Sequence, residues 1–268
     1  MRIDEWLAEA EGILRDAGVE SARLDSELIL ADELGRERTY LHANEGMGLE
    51  VGVVERVNTK VVQRARRTPL AYVRGFREFY GRRFLVTEGV LVPRPETEEM
   101  IEVVKGLPLE AKVRVVDVGT GSGVIGITLW LEGLADEVFL VDKSARALEV
   151  ARRNADELGA KVVVREGDLL EGVEEGVDVI VANLPYVDER WEVSPETKFE
   201  PREALFARDN GLELYTKLVQ QAQGVLGAGG WLVMEADTRQ HERLAETGRA
   251  NGFELGRISG LIVAMRRV

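Results

Sequence analysis

Short apolar segments that alternate with helical patterns constrain the fold of most of this chain. The segments read VRVVDVG, EVFLVDK, KVVVREGD, VDVIVANLP and GWLVMEAD, and helical stretches such as SARALEVARRNADELG separate them. Runs of this length and apolarity are typical of short buried strands. Because buried strands that alternate with helices specify a doubly wound sheet, we predict an α/β domain over residues 96–268.

The first 75 residues follow helical spacing instead. Two apolar stripes at this spacing are Ile3, Leu7, Ala10, Ile13, Leu14 and Ala17, ended by Gly18, and Leu24, Leu28, Ala31 and Leu34, ended by Gly35. A third helix is predicted over residues 51–67, because Pro69 follows it. We therefore predict an N-terminal helical domain over residues 1–75.

The segment between the two domains contains β-rich runs. In GRRFLVTEGVLVPRP, two such runs flank residues 87–89, which predicts a hairpin with its turn there. Pro93 and Pro95 then interrupt the chain. We predict a β-hairpin linker over residues 76–95 and place the domain boundary within it.

The composition excludes several classes of site. The chain has no cysteine, which excludes disulfides, thiolate catalysis and cysteine-ligated metals. Its two histidines, His42 and His241, argue against a histidine metal site or a Ser-His-Asp triad. The acidic N-terminus MRIDEWLAEAEG is not a signal peptide, and no apolar run approaches the roughly 18 residues of a membrane helix. We expect a cytoplasmic, monomeric protein without a membrane partner.

The net charge of −13 is unevenly distributed. Residues 56–83 contain nine lysines and arginines and a single acid, Glu78. This run fits either a solvated helical face followed by a hairpin, or a local basic surface for an RNA-containing or acidic partner. General nucleic-acid affinity comes mostly from phosphate neutralisation, so the acidic remainder argues against a stable nucleic-acid partner.

A glycine-rich loop follows the first strand of the α/β domain. It runs Asp117, Val118, Gly119, Thr120, Gly121, Ser122 and Gly123, and a helix begins after it. Glycines allow the backbone to turn sharply and to approach a ligand closely. Dinucleotide-binding proteins and purely structural turns share this pattern, but the sixth-position glycine of the dinucleotide fingerprint is missing. At the strand end, the Asp117 carboxylate can meet the amino group of a methionyl moiety.

Two further acids lie at the ends of strands. Asp142 ends the second strand, where it can accept hydrogen bonds from both hydroxyls of a ribose. NAD enzymes use the same arrangement, so Asp142 indicates an adenosine ligand without specifying which one. Asp168 follows the third strand and either meets an adenine amino group or caps the following turn.

The strand VDVIVA ends in the tetrapeptide Asn183, Leu184, Pro185 and Tyr186. An amide nitrogen or an exocyclic aromatic amine is a poor nucleophile because its lone pair is delocalised. The Asn183 side-chain oxygen and the Leu184 carbonyl can accept hydrogen bonds from one NH₂ group, so that its nitrogen can pyramidalise. Pro185 rigidifies the turn, and Tyr186 offers a flat wall for a planar group. The tetrapeptide predicts methyl transfer to such a nitrogen by positioning and electrostatics, without a metal.

These motifs resemble a known family, the protein-(glutamine-N5) methyltransferases of peptide chain release factors (the HemK/PrmC group). The similar segments are LDSELILADELG, TPLAYVRGFREFYGRRFLV, VLVPRPETEEM, DVGTGSGVIGI, VDKSARALEVARRNA, NLPY and FEPREALFARDNGLELY. The resemblance implies a helical domain joined by a β-hairpin to a seven-stranded class I methyltransferase domain. It implies that residues 119–123, Asp142 and Asn183 bind S-adenosyl-L-methionine, with Leu169 beside the adenine. Residues 183–186 would hold the glutamine of a Gly-Gly-Gln motif in a peptide chain release factor.

The chain departs from the family pattern in two places. The usual tetrapeptide is NPPY, and Leu184 keeps the carbonyl of that position but loses part of its rigidity. We therefore expect Leu184→Pro to leave glutamine methylation intact or to improve it. Near the C-terminus, MEAD and RISGLIVAMRRV replace the usual EIG and Asp-x-x-Gly-x-x-Arg patterns, which leaves the pairing of the last strands open.

Two alternative functions stay open at this point. NLPY is common in rRNA adenine dimethyltransferases, but these enzymes lack the helical module and the PRPETE run. A catalytically inactive methyltransferase fold that serves as a binding module is the second, and Leu184 is its only support. A NAD-dependent oxidoreductase is disfavoured because the chain has no Tyr-x-x-x-Lys pair. We expect the helical domain to recognise the protein substrate.

Overall fold

The computed structural model describes residues 1–109 and 113–268. Its helices are α1 (Ile3–Asp16), α2 (Ala22–Leu34), α3 (Arg38–Ala43), α4 (Val51–Ala65), α5 (Leu70–Arg74), α6 (Glu98–Lys105), α7 (Val124–Leu131), α8 (Ala145–Leu158), α9 (Arg202–Leu205), α10 (Glu213–Val225) and α11 (His241–Ala250). Its strands are β1 (Phe76–Phe79), β2 (Arg82–Leu85), β3 (Arg114–Val118), β4 (Glu137–Asp142), β5 (Val163–Glu166), β6 (Val177–Ala182), β7 (Leu226–Glu235), β8 (Phe253–Ser259) and β9 (Ile262–Arg267). None of the helices in these described residues has the length and apolarity to cross a membrane.

The chain divides into two compact units. The first comprises Met1–Phe76 and Val193–Phe199, and the second comprises Arg77–Glu192 and Glu200–Val268. The division into a substrate-recognition domain (1–75), a hairpin linker (76–95) and a methyltransferase domain (96–268) stays a prediction.

Seven strands of the second unit form one sheet in the order β5-β4-β3-β6-β7-β9-β8. The strands from β5 to β7 in this order are parallel, and β9 runs antiparallel to both β7 and β8. The predicted doubly wound seven-stranded fold is thereby confirmed, and β9 inserts between β7 and β8. The order of the strands reverses between β3 and β6, and sheets of this kind bind ligands outside the carboxyl ends of the strands at such a point.

Strand β6 illustrates why the sheet is buried on both faces. Val179 and Val181 belong to the apolar cluster on one face, and Ile180 and Ala182 belong to the cluster on the other. Successive side chains of a strand point to opposite faces, so an unbroken apolar run supplies both layers. Residues of α6, α7 and α8 complete the first cluster, and residues of α10 and α11 complete the second. The strand ends that carry the predicted site residues are therefore fixed by a core on each side.

The helical unit has an apolar cluster of its own, built mainly from α1, α2 and α4. Gly35 adopts the left-handed conformation and ends α2 at the predicted residue. The predicted apolar stripe of α2 is partly wrong, because Leu24 is 41% exposed while Asp25 and Glu27 are buried. Arg64 donates a hydrogen bond to Asp25 and Arg38 pairs with Glu27, so charged side chains take positions on the buried face.

Carboxylates offset most of the basic run at residues 56–83. The ion pairs within the first unit are Arg56 and Lys60 with Glu33, Arg64 with Asp25 and Glu196, Arg67 with Glu196, and Arg74 with Asp32. Cations that are paired in this way add little to the potential felt by a partner. The pairing argues against the interpretation of this run as a basic binding surface.

The predicted position of the hairpin turn at residues 87–89 is wrong. The hairpin consists of β1 and β2, and its turn lies at Tyr80 and Gly81, which both have positive φ angles of 49° and 73°. Two central residues with positive φ match the twist of a two-residue hairpin. Phe79 and Phe84 pack edge to face at 6.1 Å in the core of the second unit, which fixes this register.

Candidate active site

A pocket opens at the carboxyl ends of β3, β4 and β6 in the second unit. The predicted site residues that line it are Gly119, Thr120, Gly121, Ser122, Asp142, Asp168, Leu169, Asn183, Leu184 and Pro185. Three predicted residues, Asp117, Gly123 and Tyr186, do not line it. The sheet therefore brings together residues from four separate segments, as expected for a ligand site at the point where the strand order reverses.

Asp117 lies behind the glycine loop and is fully buried. Its Oδ2 atom accepts hydrogen bonds from the Thr120 hydroxyl at 2.7 Å and from the Gly126 amide at 2.9 Å. Its Oδ1 atom is buried without a hydrogen-bond partner among the described residues. Burial raises the pKa of Asp117 to about 6, and the nearby negative charge of Asp142 adds to the shift. Asp117 is thus a structural anchor of the loop that keeps one acceptor atom unused.

Gly119 allows the glycine loop to contact the tetrapeptide closely. A Cβ atom at this position would lie 2.6 Å from Cδ2 of Leu184, and Gly119 has a φ angle of +69°. The backbone conformation therefore favours glycine here, and a Cβ atom would displace the end of the Leu184 side chain. The Leu184 side chain packs against the loop at the point where a larger residue at 119 would push it away.

Asp142 organises the loop from the neighbouring strand. Its Oδ2 atom accepts a hydrogen bond from the Gly121 amide at 2.9 Å, and its Oδ1 atom accepts one from the Ser144 amide at 2.9 Å. In dinucleotide-binding folds the amides of this loop face a pyrophosphate. Here the Asp142 carboxylate accepts the hydrogen bond of the Gly121 N–H. The site therefore presents a negative charge at this position instead of a free amide donor.

Asp168 and Leu169 follow β5 in the chain and line the pocket. Asp168 is exposed, and within the described residues its carboxylate makes no capping hydrogen bond to the following turn. Leu169 is 8% exposed and has a φ angle of 54°. Of the two interpretations of Asp168, the geometry therefore favours a side chain that is free to meet a ligand.

The backbone of Leu184 is held by a buried tyrosine that the sequence did not reveal. The Leu184 amide donates to the Tyr215 hydroxyl at 3.0 Å, and that hydroxyl in turn donates to the Glu235 carbonyl. A proline at 184 would remove this buried donor at a cost of about 1 kcal/mol. This hydrogen bond argues against the expectation that Leu184→Pro preserves or improves transfer, and we now predict a loss instead.

A buried polar network surrounds the rest of the tetrapeptide. Asn183 Nδ2 donates to Thr97 Oγ1 at 3.1 Å, and Thr97 Oγ1 donates to Glu235 Oε2 at 2.6 Å. The Tyr186 hydroxyl donates to Glu235 Oε1 at 3.1 Å. Burial raises the pKa of the Glu235 carboxyl, and burial together with the charge of Glu235 raises the pKa of the Tyr186 phenol well above its ordinary value.

The sequence reasoning missed Thr97, Tyr215 and Glu235. Thr97 belongs to the PRPETE run and Glu235 to MEAD, so both segments were singled out without a role for either residue. The signal that was available is chemical: an acid that ends a buried apolar strand needs partners in the interior.

Comparison with known proteins identifies the family. A family model described as "Methyltransferase small domain" matches residues 101–198, and a second, described as "PrmC N-terminal domain", matches residues 5–75. A release factor glutamine methyltransferase from Koribacter versatilis is 41% identical over 228 residues, which cover 83% of this chain and 81% of that protein. The chain belongs to the release factor glutamine methyltransferase family.

Solved structures agree with this family at the level of the fold. A methyltransferase from Pyrococcus furiosus superposes with a TM-score of 0.55 at 17% identity, covering 78% of this chain and 95% of that one. A 16S rRNA methyltransferase from T. thermophilus, in complex with AdoMet and guanosine, has a TM-score of 0.51 at 17% identity and covers 72% of this chain and 49% of that one. Within the release factor glutamine methyltransferase family, this chain is thus an enzyme of the class I methyltransferase fold.

Proposed function

We propose that this enzyme transfers a methyl group from S-adenosyl-L-methionine to the side-chain amide nitrogen of the glutamine in the Gly-Gly-Gln motif of a peptide chain release factor. Family membership supports the substrate class. The observation that carries the proposal is the arrangement of the tetrapeptide, in which the Asn183 amide gives its N–H to Thr97 and leaves its oxygen for another donor.

The charges around the glycine loop fit a cationic ligand. Asp117 Oδ1 is a buried acceptor without a partner in residues 1–109 and 113–268, and Asp142 adds a second carboxylate that lines the pocket. An ammonium group in the pocket would be attracted by the negative potential of these two carboxylates, whereas a pyrophosphate would be repelled. When bound, S-adenosylmethionine supplies an electrophilic methyl carbon on a sulfonium centre. We assign its methionyl end to Asp117 and residues 119–123, and its adenosine to Asp142, Asp168 and Leu169.

The tetrapeptide can hold the two N–H groups of a glutamine amide. Asn183 Oδ1 and the Leu184 carbonyl are the proposed acceptors. The Leu184 carbonyl is available because the Tyr215 hydroxyl, 3.4 Å away from it, lies nearer to the Glu235 carbonyl and donates its proton there. Two fixed acceptors on one NH₂ group favour the geometry in which the nitrogen lone pair leaves conjugation. Tyr186 stays protonated, so its ring is a neutral wall for the planar amide.

We also propose that the helical unit contributes to recognition of the release factor. Since carboxylates offset its basic run, shape and hydrogen bonding rather than positive charge would provide this recognition.

The test of the catalytic role is Asn183→Ala. Loss of the side-chain acceptor should lower kcat for release-factor methylation by about 100-fold or more, while the cofactor Kd changes much less, because the acceptor acts mainly in the transition state. The control is Asn251→Ala, whose side-chain amide donates to the Thr247 carbonyl on α11. Near wild-type turnover of Asn183→Ala would refute the amide-orienting role.

A further inference from the structure

Glu235 is a buried carboxylate to which the proposed binding of cofactor and substrate assigns no role. It is 1% exposed, and its hydrogen-bond partners are the hydroxyls of Thr97 and Tyr186 and the side-chain amide of Asn183. None of these partners is a cation, so no counter-charge offsets the burial of the carboxylate when it is ionised. Such a residue at the edge of an active site calls for a role in that site.

The register of the sheet places this carboxylate beside the tetrapeptide. β6 and β7 are neighbouring parallel strands in which Ala182 pairs with Met234. Asn183, which follows β6, therefore lies beside Glu235, the last residue of β7. Thr97, 2% exposed at the N-terminus of α6, lies between their side chains.

The direction of the hydrogen bonds follows from the chemistry of the groups. When Glu235 is ionised, its carboxylate only accepts hydrogen bonds, so the single proton of the Thr97 hydroxyl is then committed to Glu235. The Thr97 oxygen can then only accept, and of the two ends of the Asn183 amide only Nδ2 can donate to it. Without the carboxylate, Thr97 could donate to Asn183 Oδ1 and the amide could turn around.

We propose that Thr97 and Glu235 are positioning residues that fix the Asn183 amide with Oδ1 facing the pocket. The proposal rests on the proposed function, in which Asn183 Oδ1 accepts a hydrogen bond from the substrate amide. The same carboxylate accepts a hydrogen bond from the Tyr186 hydroxyl, so Glu235 helps to fix both the first and the last residue of the tetrapeptide. This arrangement gives a role to the threonine of the PRPETE run and to the acid of MEAD.

The test compares Thr97→Val, which removes the hydroxyl at constant shape, with Thr97→Ser, which keeps it. The matched control is Thr128→Val, because Thr128 is also buried and its hydroxyl has no hydrogen-bond partner among the described residues. Each protein is assayed for kcat and KM on a release factor and for cofactor Kd by calorimetry. The ¹H–¹⁵N signals of the Asn183 side-chain amide are recorded without substrate and assigned through Asn183→Asp.

Thr97→Val should lower kcat by about 10- to 100-fold with little change in cofactor Kd, since a misplaced acceptor affects mainly the transition state. Its Asn183 amide signals should move and exchange faster, Thr97→Ser should recover most of the rate, and Thr128→Val should match the wild type. Unchanged Asn183 signals in Thr97→Val would overturn the proposal, and so would changed signals with an unchanged kcat. A wild-type enzyme without glutamine activity would contradict the proposed function alone, because the amide signals test the hydrogen-bond direction without substrate.

Discussion

At the residue scale, two acids near the carboxyl ends of β3 and β7, Asp117 and Glu235, have buried carboxylates. Burial raises the pKa of Asp117 to about 6 and raises the pKa of Glu235 as well. A raised pKa in the folded state means that the folded protein holds a proton which the unfolded chain releases, so stability falls as the pH rises through that window. Such a loss of stability is common at functional sites.

Asp117→Asn should raise the stability of the fold and weaken cofactor binding. The amide oxygen can still accept from Thr120 and Gly126, and the buried charge is gone, so the free energy of unfolding at pH 7 should rise by about 1–3 kcal/mol. This gain should vanish below about pH 4, where the acid itself is protonated. Calorimetry should also show weaker S-adenosylmethionine binding, because Nδ2 replaces the unused acceptor. Unchanged cofactor affinity would remove Asp117 from the proposed site.

The rate of methyl transfer should depend on the ionisation of Glu235. Only the ionised carboxylate accepts from both Thr97 and Tyr186, so kcat should fall as the pH falls through its pKa. Burial, with a contribution from the charge of Glu96, raises this pKa above that of an ordinary glutamate, so the fall should begin at a higher pH. A profile of log kcat against pH for wild type and Glu235→Gln checks this. The same acid limb in both proteins would assign the titration to another group.

At the scale of elements, the sequence pattern predicted the strands of the parallel sheet because burial on both faces leaves an unbroken apolar run, as in β6. The sequence-based prediction was wrong where tertiary contacts determine the local structure. The hairpin turn moved to Tyr80 and Gly81 because Phe79 packs on Phe84, and Leu24 lies outside the α2 interface because Asp25 binds Arg64. Local patterns do not contain such partners.

Glu196 should hold the segment Val193–Phe199 within the first unit. Although burial raises it, hydrogen bonds from Arg67, Ser194 and Arg64 lower the pKa of Glu196 to about 2. A lowered pKa stabilises the fold above the ordinary glutamate value, and this contribution is lost as the pH falls from about 4.5 towards 2. Glu196→Gln should lower the stability of the first unit by about 1–3 kcal/mol and speed hydrogen exchange at residues 193–199.

The matched control for that variant is Glu189→Gln, which breaks an exposed pair with Arg202. Exposed ion pairs contribute roughly 0–1 kcal/mol, so exchange at residues 193–199 should stay at the wild-type rate. Equal effects of the two substitutions would contradict the anchoring role of Glu196.

At the scale of the whole molecule, the candidate site combines residues that are far apart in the chain. The loop at 119–123, Asp142 and the tetrapeptide could be predicted because each follows a recognisable strand. Thr97 and Glu235 could not, because they lie 86 and 52 residues from Asn183 in the sequence. The pairing of β6 with β7 brings Glu235 to Asn183, and the packed position of the start of α6 brings Thr97 to it. The positions of polar groups that orient a site depend on tertiary packing. They are therefore harder to predict from the sequence than the positions of the groups that face the ligand.

The central claim is tested most directly by mapping the methyl group. The wild-type enzyme is incubated with labelled S-adenosylmethionine and either an intact release factor, the same factor with asparagine in place of the Gly-Gly-Gln glutamine, or ribosomal RNA, and the products are located by mass spectrometry. We predict one methyl group on the side-chain nitrogen of that glutamine, none on the asparagine variant and none on RNA. Label on RNA, or none on the intact release factor, would contradict the account.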